Sequence, residues 1–355
     1  MSAAASSAPA SSSSSSAATP IWGAVELGGT TIKIALASGC PTNVISQRSF
    51  PTGSDPSAAL RTAERFFDDL PADQQPTALG IGSFGPVDLN RSSPTYGFIT
   101  STPKPGWQDF DVLKHFAKWV ERGVPVGFST DVNTAAYGEM RYGEHGSDVT
   151  SAVYITVGTG IGAGIVVEGG SLVSGILHPE AGHIPVRRHK DDPETGFKGL
   201  CPFHGGDCLE GLATANAIAA RLGVDIHDLK SLDDAHPIWE IESYYLAQLC
   251  VNLACIVSPH VIILGGGVLK RHSLFPRIRS HFRSMLNGYL RVPKMLSQTD
   301  EYIKPSRFDK EGSNTSAGCV GTLAFAQKTW EDAQEEKKKQ STAATTSEGI
   351  KGSKL

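Results

Sequence analysis

The strongest chemical signal in the sequence is a set of three glycine-rich turns, each of which follows an apolar run. Glycine allows positive φ and lets backbone N–H groups approach a ligand without a Cβ in the way, and successive amides in such a turn form an anion-binding concavity. One such turn could be an ordinary hairpin turn, but three placed after strands favour a nucleotide site. The turn residues are Gly28, Gly29 and Thr30 in the first turn, Gly158, Thr159 and Gly160 in the second, and Gly265, Gly266 and Gly267 in the third.

The first two turns lie in two similar units. Ile21–Ala37 and Ser151–Val167 each consist of an apolar run, the glycine turn and a second apolar run. The β-branched residues of these runs are typical of strands buried in a sheet. The repetition predicts duplicated lobes that offer their turns to the same phosphate chain.

Two further strands are expected to deliver polar residues to one crevice. Ala78–Ser83 runs into a turn that contains Gly85 and Pro86, and Val126–Thr130 is followed by Asp131. Open α/β sheets bind ligands beyond the carboxyl ends of their strands. A carboxylate at such a strand end could accept the proton of an attacking hydroxyl group, or it could simply cap the following helix.

Two thiols and two imidazoles form a candidate metal site. They belong to His183, Cys201, His204 and Cys208. Thiolates together with imidazoles suit a tetrahedral structural zinc ion. Spacing alone does not distinguish a zinc site from two unrelated buried thiols, and His178 and His189 are competing ligands.

Several short motifs together carry a resemblance to a known family. They are Glu26–Thr30, Gly158–Gly162, Glu180–His183 and Leu264–Val268. These motifs resemble the signatures of the ROK sugar kinases, within the actin-like ATPase superfamily. A closer resemblance, to the bacterial-type fructokinases of that family, rests on Tyr96–Trp107, Asp131–Ala136 and Cys201–Gly211. The match runs in order from about Ile21 to about Gln327.

The resemblance implies an α/β protein with a two-lobed, actin-like or ribonuclease-H-like ATPase fold built from duplicated strand–turn–strand units. It also implies phosphorylation of the 6-hydroxyl of D-fructose by ATP and Mg²⁺, with Asp131 as the general base. The first two glycine turns would hold phosphate, the third would approach the adenosine, and a structural Zn²⁺ would be held by His183, Cys201, His204 and Cys208. The residues expected at the sugar are Gly85, Pro86, Asp131, Glu180 and His183.

Two alternative functions remain open at this stage. The first is a kinase for another hexose, such as mannose, glucose or an N-acetylated hexosamine. The second is a non-catalytic, sugar-responsive regulator, because the same family includes transcriptional repressors. Those repressors carry an N-terminal helix-turn-helix, and residues 1–20 are too short and too polar to form one. The presence of Asp131 also argues against a catalytically inactive sensor.

The sequence departs from the family pattern at several positions. Thr130 stands where many glucose-preferring relatives have Asn, which favours the fructokinase branch. Glu26, where many members have Asp, is the candidate to orient a metal-bound water. Many bacterial fructokinases have Lys directly after the Gly-Gly-Thr, whereas this chain has Lys33 two residues beyond Thr31, on one face of a strand with it. Gly205–Gly206 looks like a one-residue insertion between two of the metal-ligand candidates.

The chain divides into four parts. We expect a disordered Ser/Ala-rich extension over 1–19 and a small lobe over 20–133, completed by a C-terminal helix over about 312–330. A large lobe with the zinc loop should cover 134–311, and a flexible charged tail should cover 331–355.

Composition excludes some classes of partner. With 355 residues, 40% hydrophobic content and a net charge of −4, the chain fits a two-lobed enzyme and offers no basic surface for nucleic acid or an anionic membrane. No apolar run approaches the ~20 residues that membrane insertion requires, and six cysteines are too few for a disulfide scaffold. The tripeptide Ser353, Lys354 and Leu355 matches the address read by the peroxisomal import receptor, so we predict a peroxisomal or glycosome-like location, with the cytoplasm as the alternative. Members of the family are often dimers, which allows a homodimer here.

Overall fold

The computed structural model of the protein describes residues 18–310 and 315–351. The strands are β1 Ile21–Leu27, β2 Thr31–Ser38, β3 Val44–Pro51, β4 Ala78–Ser83, β5 Phe98–Ile99, β6 Phe110–Asp111, β7 Val126–Thr130, β8 Ala152–Val157, β9 Ile161–Val167, β10 Ser171–Leu172, β11 Val261–Gly265 and β12 Ile303–Pro305. The helices are α1 Pro56–Asp68, α2 Ala117–Glu121, α3 Asp131–Tyr142, α4 Leu209–Ala213, α5 Ala215–Leu222, α6 Ile238–Ile256, α7 Leu274–Leu286, α8 Pro293–Leu296, α9 Thr299–Tyr302 and α10 Ala317–Lys351.

Two five-stranded mixed sheets share one topology. The strand order is β3-β2-β1-β4-β7 in the first sheet and β10-β9-β8-β11-β12 in the second. In the first sheet, β1 pairs antiparallel with β2 and parallel with β4. In the second sheet, β8 pairs antiparallel with β9 and parallel with β11. The glycine turns connect β1 to β2 and β8 to β9. The duplicated strand–turn–strand units expected from the sequence are therefore confirmed.

An apolar core lies under each sheet. In the first lobe, α1 begins at Pro56, and the side chain of Asp55 caps it by accepting from the amide of Ala58 at 2.9 Å. The apolar face of α1 packs with Trp107, Trp119 and other buried residues against β1, β2 and β4. In the second lobe, α6 and α7 pack with β8, β9 and β11. Each lobe thus holds its glycine turn on a rigid sheet.

Helices α3 and α10 lie between the two sheets and touch through their backbones. A Cβ added at Gly138 on α3 would lie 2.5 Å from the Cα of Gly321 on α10. A Cβ at Gly80 on β4 would lie 2.2 Å from the carbonyl oxygen of Thr322, also on α10. Only glycine allows such close approach, so these residues fix α10 against both α3 and the first sheet.

Helix α10 extends further than the sequence indicated. The region after Glu331 was expected to be a flexible tail, but the helix continues to Lys351. The segment is rich in Glu, Lys, Gln and Ala, which have high helix propensity. An i,i+4 pair between Lys328 and Asp332, 2.8 Å apart, adds to this preference.

The chain ends fall outside the part of the structure that is described. Residues 1–17 and Ser353–Leu355 belong to these ends, so the disordered extension and the peroxisomal address stay predictions. Within 18–310 and 315–351, no helix is both long and apolar enough to cross a membrane.

Candidate active site

Asp131 lies where β7 ends and α3 begins. Thr130 is the cap of this helix, because its hydroxyl oxygen accepts a hydrogen bond from the amide of Asn133 at 3.0 Å. The Asp131 carboxylate accepts a hydrogen bond from the amide of the next residue, Val132, at 2.8 Å. The capping role that Asp131 could have had is thus performed by its neighbour.

The electrostatic environment of Asp131 favours the protonated acid in the ligand-free protein. Burial and, second, the negative charge of Glu26 raise the pKa of Asp131 to about 7, while Lys33 opposes the shift. A carboxylate with a pKa near neutrality is well matched to accept a proton in a neutral cell. The raised pKa is therefore compatible with a role as a general base.

Glu26 and Lys33 face each other across the first strand pair. They are paired residues of β1 and β2, and the Lys33 ammonium lies 3.3 Å from both carboxylate oxygens of Glu26. The ammonium also donates to the Ser316 hydroxyl at 2.8 Å, and that hydroxyl donates to Glu26 at 3.1 Å. Since Lys33 also acts on Asp131, it lies on the cleft side of the first lobe.

The first glycine turn presents its tip to solvent. The amide of Gly28 donates to the carbonyl oxygen of Thr31 at 3.1 Å, which closes the turn, and both Gly29 and Thr30 are exposed. The ammonium of Lys104, from a distant loop, donates to the Gly29 carbonyl at 2.6 Å. A second lysine besides Lys33 thus lies at this turn.

The second and third glycine turns adjoin each other. A Cβ at Gly158 would lie 4.0 Å from the amide nitrogen of Gly267. Thr159 and Gly267 are exposed at the tips of their turns. Gly266 has φ +88°, a conformation that only glycine adopts readily, and Gly265 is buried beneath the turn as the last residue of β11. Five of the six residues in these turns, all except Gly265, therefore remain partly or fully accessible along one edge of the second sheet.

Gly85 and Pro86 lie next to the Glu180 loop of the other lobe. A Cβ at Gly85 would lie 3.0 Å from the His178 ring and 3.4 Å from the Glu180 carboxylate. The buried His178 ring accepts, through Nε2, a hydrogen bond from the amide of Val87 at 3.0 Å, and burial lowers the pKa of His178. A neutral histidine therefore joins the two walls of the cleft.

Glu180 belongs to a group of acids around Asp131. Burial, followed by the charges of Glu210 and Asp131, raises the pKa of Glu180 to about 7. Glu210 accepts from the amide of Ile161 at 2.9 Å and lies 3.7 Å from Nε2 of His183. Carboxylates that accept hydrogen bonds and an imidazole that donates one can together bind several hydroxyl groups of one polyol.

The four metal-ligand candidates converge. The ligand atoms of His183, Cys201, His204 and Cys208 all lie within 4.8 Å of one another. Cys201 Sγ lies 3.5 Å from His204 Nδ1 and 3.7 Å from His183 Nδ1, and Cys208 Sγ lies 3.8 Å from His183 Nδ1. Zn–S bonds of about 2.3 Å and Zn–N bonds of about 2.05 Å at tetrahedral angles require S–N separations of about 3.6 Å. The donor set fits a zinc ion.

The inserted glycine pair is accommodated in a tight turn. The backbones of Cys201 and Gly205 exchange hydrogen bonds of 2.8 and 3.3 Å, and Gly205 has φ +57°. This turn brings the His204 ring close to the Cys201 thiol. The competing ligands lie elsewhere, because His178 binds Val87 and His189 packs edge-on against Tyr244 with ring centroids 5.0 Å apart.

Three residues of the cleft were not assigned from the sequence. They are Lys104, His178 as a contact between the lobes, and Glu210. Lys104 and Glu210 lie inside motifs that carried the family resemblance. The sequence therefore identified their motifs but did not predict their contacts. The contacts of all three join residues that are 49 to 91 positions apart in the chain.

Two duplicated lobes, with glycine turns beside a shared cleft and an aspartate at a strand end within it, define the class of actin-like phosphotransferases. Comparison with known proteins places the chain more narrowly. The family model of the ROK family matches residues 22–329, and the chain belongs to this family.

Similar proteins were found by sequence and by structure. A fructokinase of Pediococcus pentosaceus is 42% identical over 306 residues, which cover 86% of this chain and 97% of that protein. A fructokinase of Streptococcus mutans is 39% identical over 309 residues, covering 87% and 98% respectively. The crystal structure of a ROK family glucokinase from Streptomyces griseus with glucose and AMPPNP superposes with a TM-score of 0.65 at 22% identity, covering 87% of this chain and 99% of that one. The last similarity establishes the fold.

Proposed function

We propose that this protein is a hexose kinase that transfers the γ-phosphoryl group of ATP to the 6-hydroxyl of D-fructose, with Asp131 as the general base. The observation that carries the proposal is the position of Asp131 between two sets of groups. On one side it interacts with Glu26 and Lys33, and on the other it contributes to the raised pKa of Glu180. Similarity to proteins named fructokinase over nearly their whole length supports fructose as the substrate.

The residues of the cleft have distinct proposed roles. Glu180 accepts hydrogen bonds from the sugar, His183 donates one through its Nε2–H, and the Gly85–Pro86 turn closes the opposite side of the sugar site. The exposed amides of the first two glycine turns hold the phosphates, with Lys33 as the nearby cation, and the turn at Gly265–Gly267 receives the adenosine.

The reaction needs one proton transfer and one phosphoryl transfer. Asp131 accepts the proton of the 6-hydroxyl as that oxygen bonds to the γ-phosphorus, and the bond from phosphorus to the bridging oxygen breaks to release ADP. Glu26 is the carboxylate that would hold the hydration shell of a bound Mg²⁺, which would neutralise charge on the phosphates. Closure of the lobes would exclude water, which otherwise competes for the phosphoryl group.

A coupled assay of ADP release tests the proposal. The parent protein and Asp131→Asn are compared with Mg-ATP and a panel of fructose, mannose, glucose and N-acetylated hexosamines. We expect fructose to give the highest kcat/KM and Asp131→Asn to lower kcat by at least about a hundredfold while sugar binding persists. Asp73→Asn, at an exposed surface acid, is the control.

The other possible results of this assay each favour a different function or a different general base. If another hexose leads the panel, the protein is a kinase of that sugar. If sugars bind but none is phosphorylated, the regulator interpretation replaces the kinase. If Asp131→Asn is as active as the parent, another residue is the base.

We also propose that His183, Cys201, His204 and Cys208 bind a structural zinc ion. All four positions are filled by protein groups, so such an ion would organise the loop and leave no site for substrate water. With Nδ1 of His183 on the metal, its Nε2 faces Glu210 and the sugar site, a type of arrangement that fixes the orientation of a metal-bound imidazole.

Metal analysis of the purified protein tests the zinc site. We expect about one zinc per chain in the parent and less in Cys208→Ser, with a lower melting temperature for that variant. Cys250→Ser, at a buried thiol on α6 that is not a member of this cluster, is the control for loss of a buried thiol. Equal zinc content in the parent and in Cys208→Ser would contradict the assignment.

A further inference from the structure

The carboxylate of Asp309 joins three parts of the structure beside the third glycine turn. Its Oδ2 accepts from the Tyr154 hydroxyl at 2.6 Å and from the amide of Gly266 at 3.1 Å. Its Oδ1 accepts from the amide of Ala317 at 2.9 Å. Tyr154 lies on β8 and Ala317 is the first residue of α10. One side chain thus connects a strand of the second sheet, a glycine turn of the cleft and the helix between the lobes.

The glycine turn is shaped around this carboxylate. A Cβ at Gly265 would lie 2.3 Å from Asp309 Oδ2 and 2.5 Å from the Tyr154 hydroxyl oxygen. Gly266, whose amide binds Asp309, has the positive φ that turns the chain. The lack of a side chain at Gly265 is therefore explained by Asp309 and Tyr154, without any ligand.

The loop that carries Asp309 is itself held by α3. The amide of Asp309 donates to the Ser306 hydroxyl oxygen at 3.0 Å, and this hydroxyl binds the carboxylate of Glu139. Glu139 is fully buried on α3 and also accepts from the amide of Arg307 at 2.9 Å. Helix α3 begins with Asp131, so the same helix bears the proposed base and supports the Asp309 loop.

The first turn of α10 leads from Asp309 to the other lobe. Ala317 is bound to Asp309, and its neighbour Ser316 is bound to both Lys33 and Glu26 of the first sheet. Two consecutive residues therefore link the third glycine turn to the cation and the acid beside the first.

We propose that Asp309 is a positioning residue that holds the turn at Gly266 in the shape that receives the nucleotide. It also fixes the position of that turn relative to the first turn of α10. The inference rests on the proposed use of ATP. It assigns to Asp309 an effect on nucleotide binding and on turnover, and none on sugar binding in the absence of nucleotide.

Asp309→Asn is the direct test. The asparagine has nearly the same shape, but its amide nitrogen must face a backbone N–H of either Gly266 or Ala317, which leaves that donor unpaired. Hydrogen bonds to a charged group contribute more than neutral ones, and we expect the Kd for Mg-AMPPNP, measured by calorimetry, to rise about tenfold or more. The Kd for fructose should stay within about twofold of the parent.

Two variants serve as comparisons. Tyr154→Phe removes the hydroxyl that binds Asp309 and that also interacts with the Thr156 side chain, and it leaves the Asp309 carboxylate in place. Its nucleotide Kd should rise about threefold, and its fructose Kd should be unchanged. Glu144→Gln changes an exposed acid that pairs with the guanidinium of Arg307 at 3.0 Å, and its nucleotide Kd should equal that of the parent. In steady-state assays, Asp309→Asn should raise the KM for ATP and lower kcat, with the KM for fructose retained.

The outcomes separate this inference from the proposed activity. Equal nucleotide affinity in Asp309→Asn and the parent overturns the inference, as does a parallel loss of nucleotide and fructose binding, which would indicate a general structural role. If Asp309→Asn does not fold, an unchanged nucleotide Kd in Tyr154→Phe overturns it instead. A parent that binds AMPPNP but phosphorylates no hexose refutes the fructokinase proposal, while the role of Asp309 is still decided by the nucleotide affinities.

Discussion

Replacing Asp131 with asparagine should stabilise the ligand-free protein at neutral and alkaline pH while it removes the activity. The pKa of this carboxyl is about 7 in the folded protein, against an ordinary value of 3.8. Between these values the folded state binds more protons than the unfolded state. The free energy of unfolding therefore falls as the pH rises through this window, and it levels off above about pH 7.

The magnitude follows from the shift. Three pH units correspond to about 4 kcal/mol, which is an upper limit because Asp131 keeps partial contact with solvent and shares its shift with Glu26. We expect about 2 kcal/mol of stabilisation for Asp131→Asn at pH 8. At pH 4 the acid is neutral in the folded state and only partly ionised in the unfolded state, so the stabilisation should fall to a few tenths of a kcal/mol, roughly 0.3.

Urea unfolding of the ligand-free protein at pH 4, 6 and 8 measures this difference. Asp73→Asn, at an exposed acid, is the matched control and should change stability by less than about 0.5 kcal/mol. A destabilisation by Asp131→Asn that is equal at all three pH values would refute the reasoning, because burial of a charge would then not govern this position.

Three further predictions concern the cleft and the helix crossing. Because Asp131 and Glu180 both have pKa values of about 7, kcat/KM for fructose should fall steeply below pH 7, and a flat profile from pH 8.5 to 5.5 would contradict either role. His178→Phe leaves the amide of Val87 without its acceptor, so the KM for fructose should rise about tenfold with an unchanged KM for ATP; steady-state kinetics with each substrate varied would show whether it does. Gly138→Ala adds a Cβ that would lie 2.5 Å from the Cα of Gly321, so the two helices must move apart. Thermal unfolding should show a loss of about 2 kcal/mol in the free energy of unfolding. The control Gly175→Ala, with nothing within 4 Å of its Cβ, should be nearly neutral.

The parts that could be predicted from the sequence are those with local patterns. The two strand–turn–strand units follow from apolar runs and glycines that are contiguous in the chain, and the topology of the two sheets repeats as those units do. The convergence of four metal-ligand candidates was predicted from residue chemistry and from the resemblance. In both cases the residues that meet are close in sequence or are marked by an uncommon residue type.

The parts that were missed depend on tertiary contacts or on competition between neighbours. Lys104 reaches the Gly29 carbonyl from 75 residues away, and no pattern in its own loop indicates that target. At the start of α3, Thr130 and Asp131 are both residues that cap helices well, and only the backbone geometry shows that Thr130 does so. After Glu331, a high density of charge was interpreted as a flexible tail, although the same residues are strong helix formers.

The crossing of α3 and α10 at Gly138 and Gly321 has a mechanical consequence. The contact extends to both sides of the two glycines, because the Thr134 hydroxyl lies 3.1 Å from that of Thr322 and the Tyr142 hydroxyl donates to Gln327 at 2.7 Å. The glycine crossing lies about two helical turns from Asp131, roughly 10 Å along the axis. Helices α3 and α10 therefore form one rigid brace, and a displacement of either helix would shift Asp131 and the first turn of α10 together.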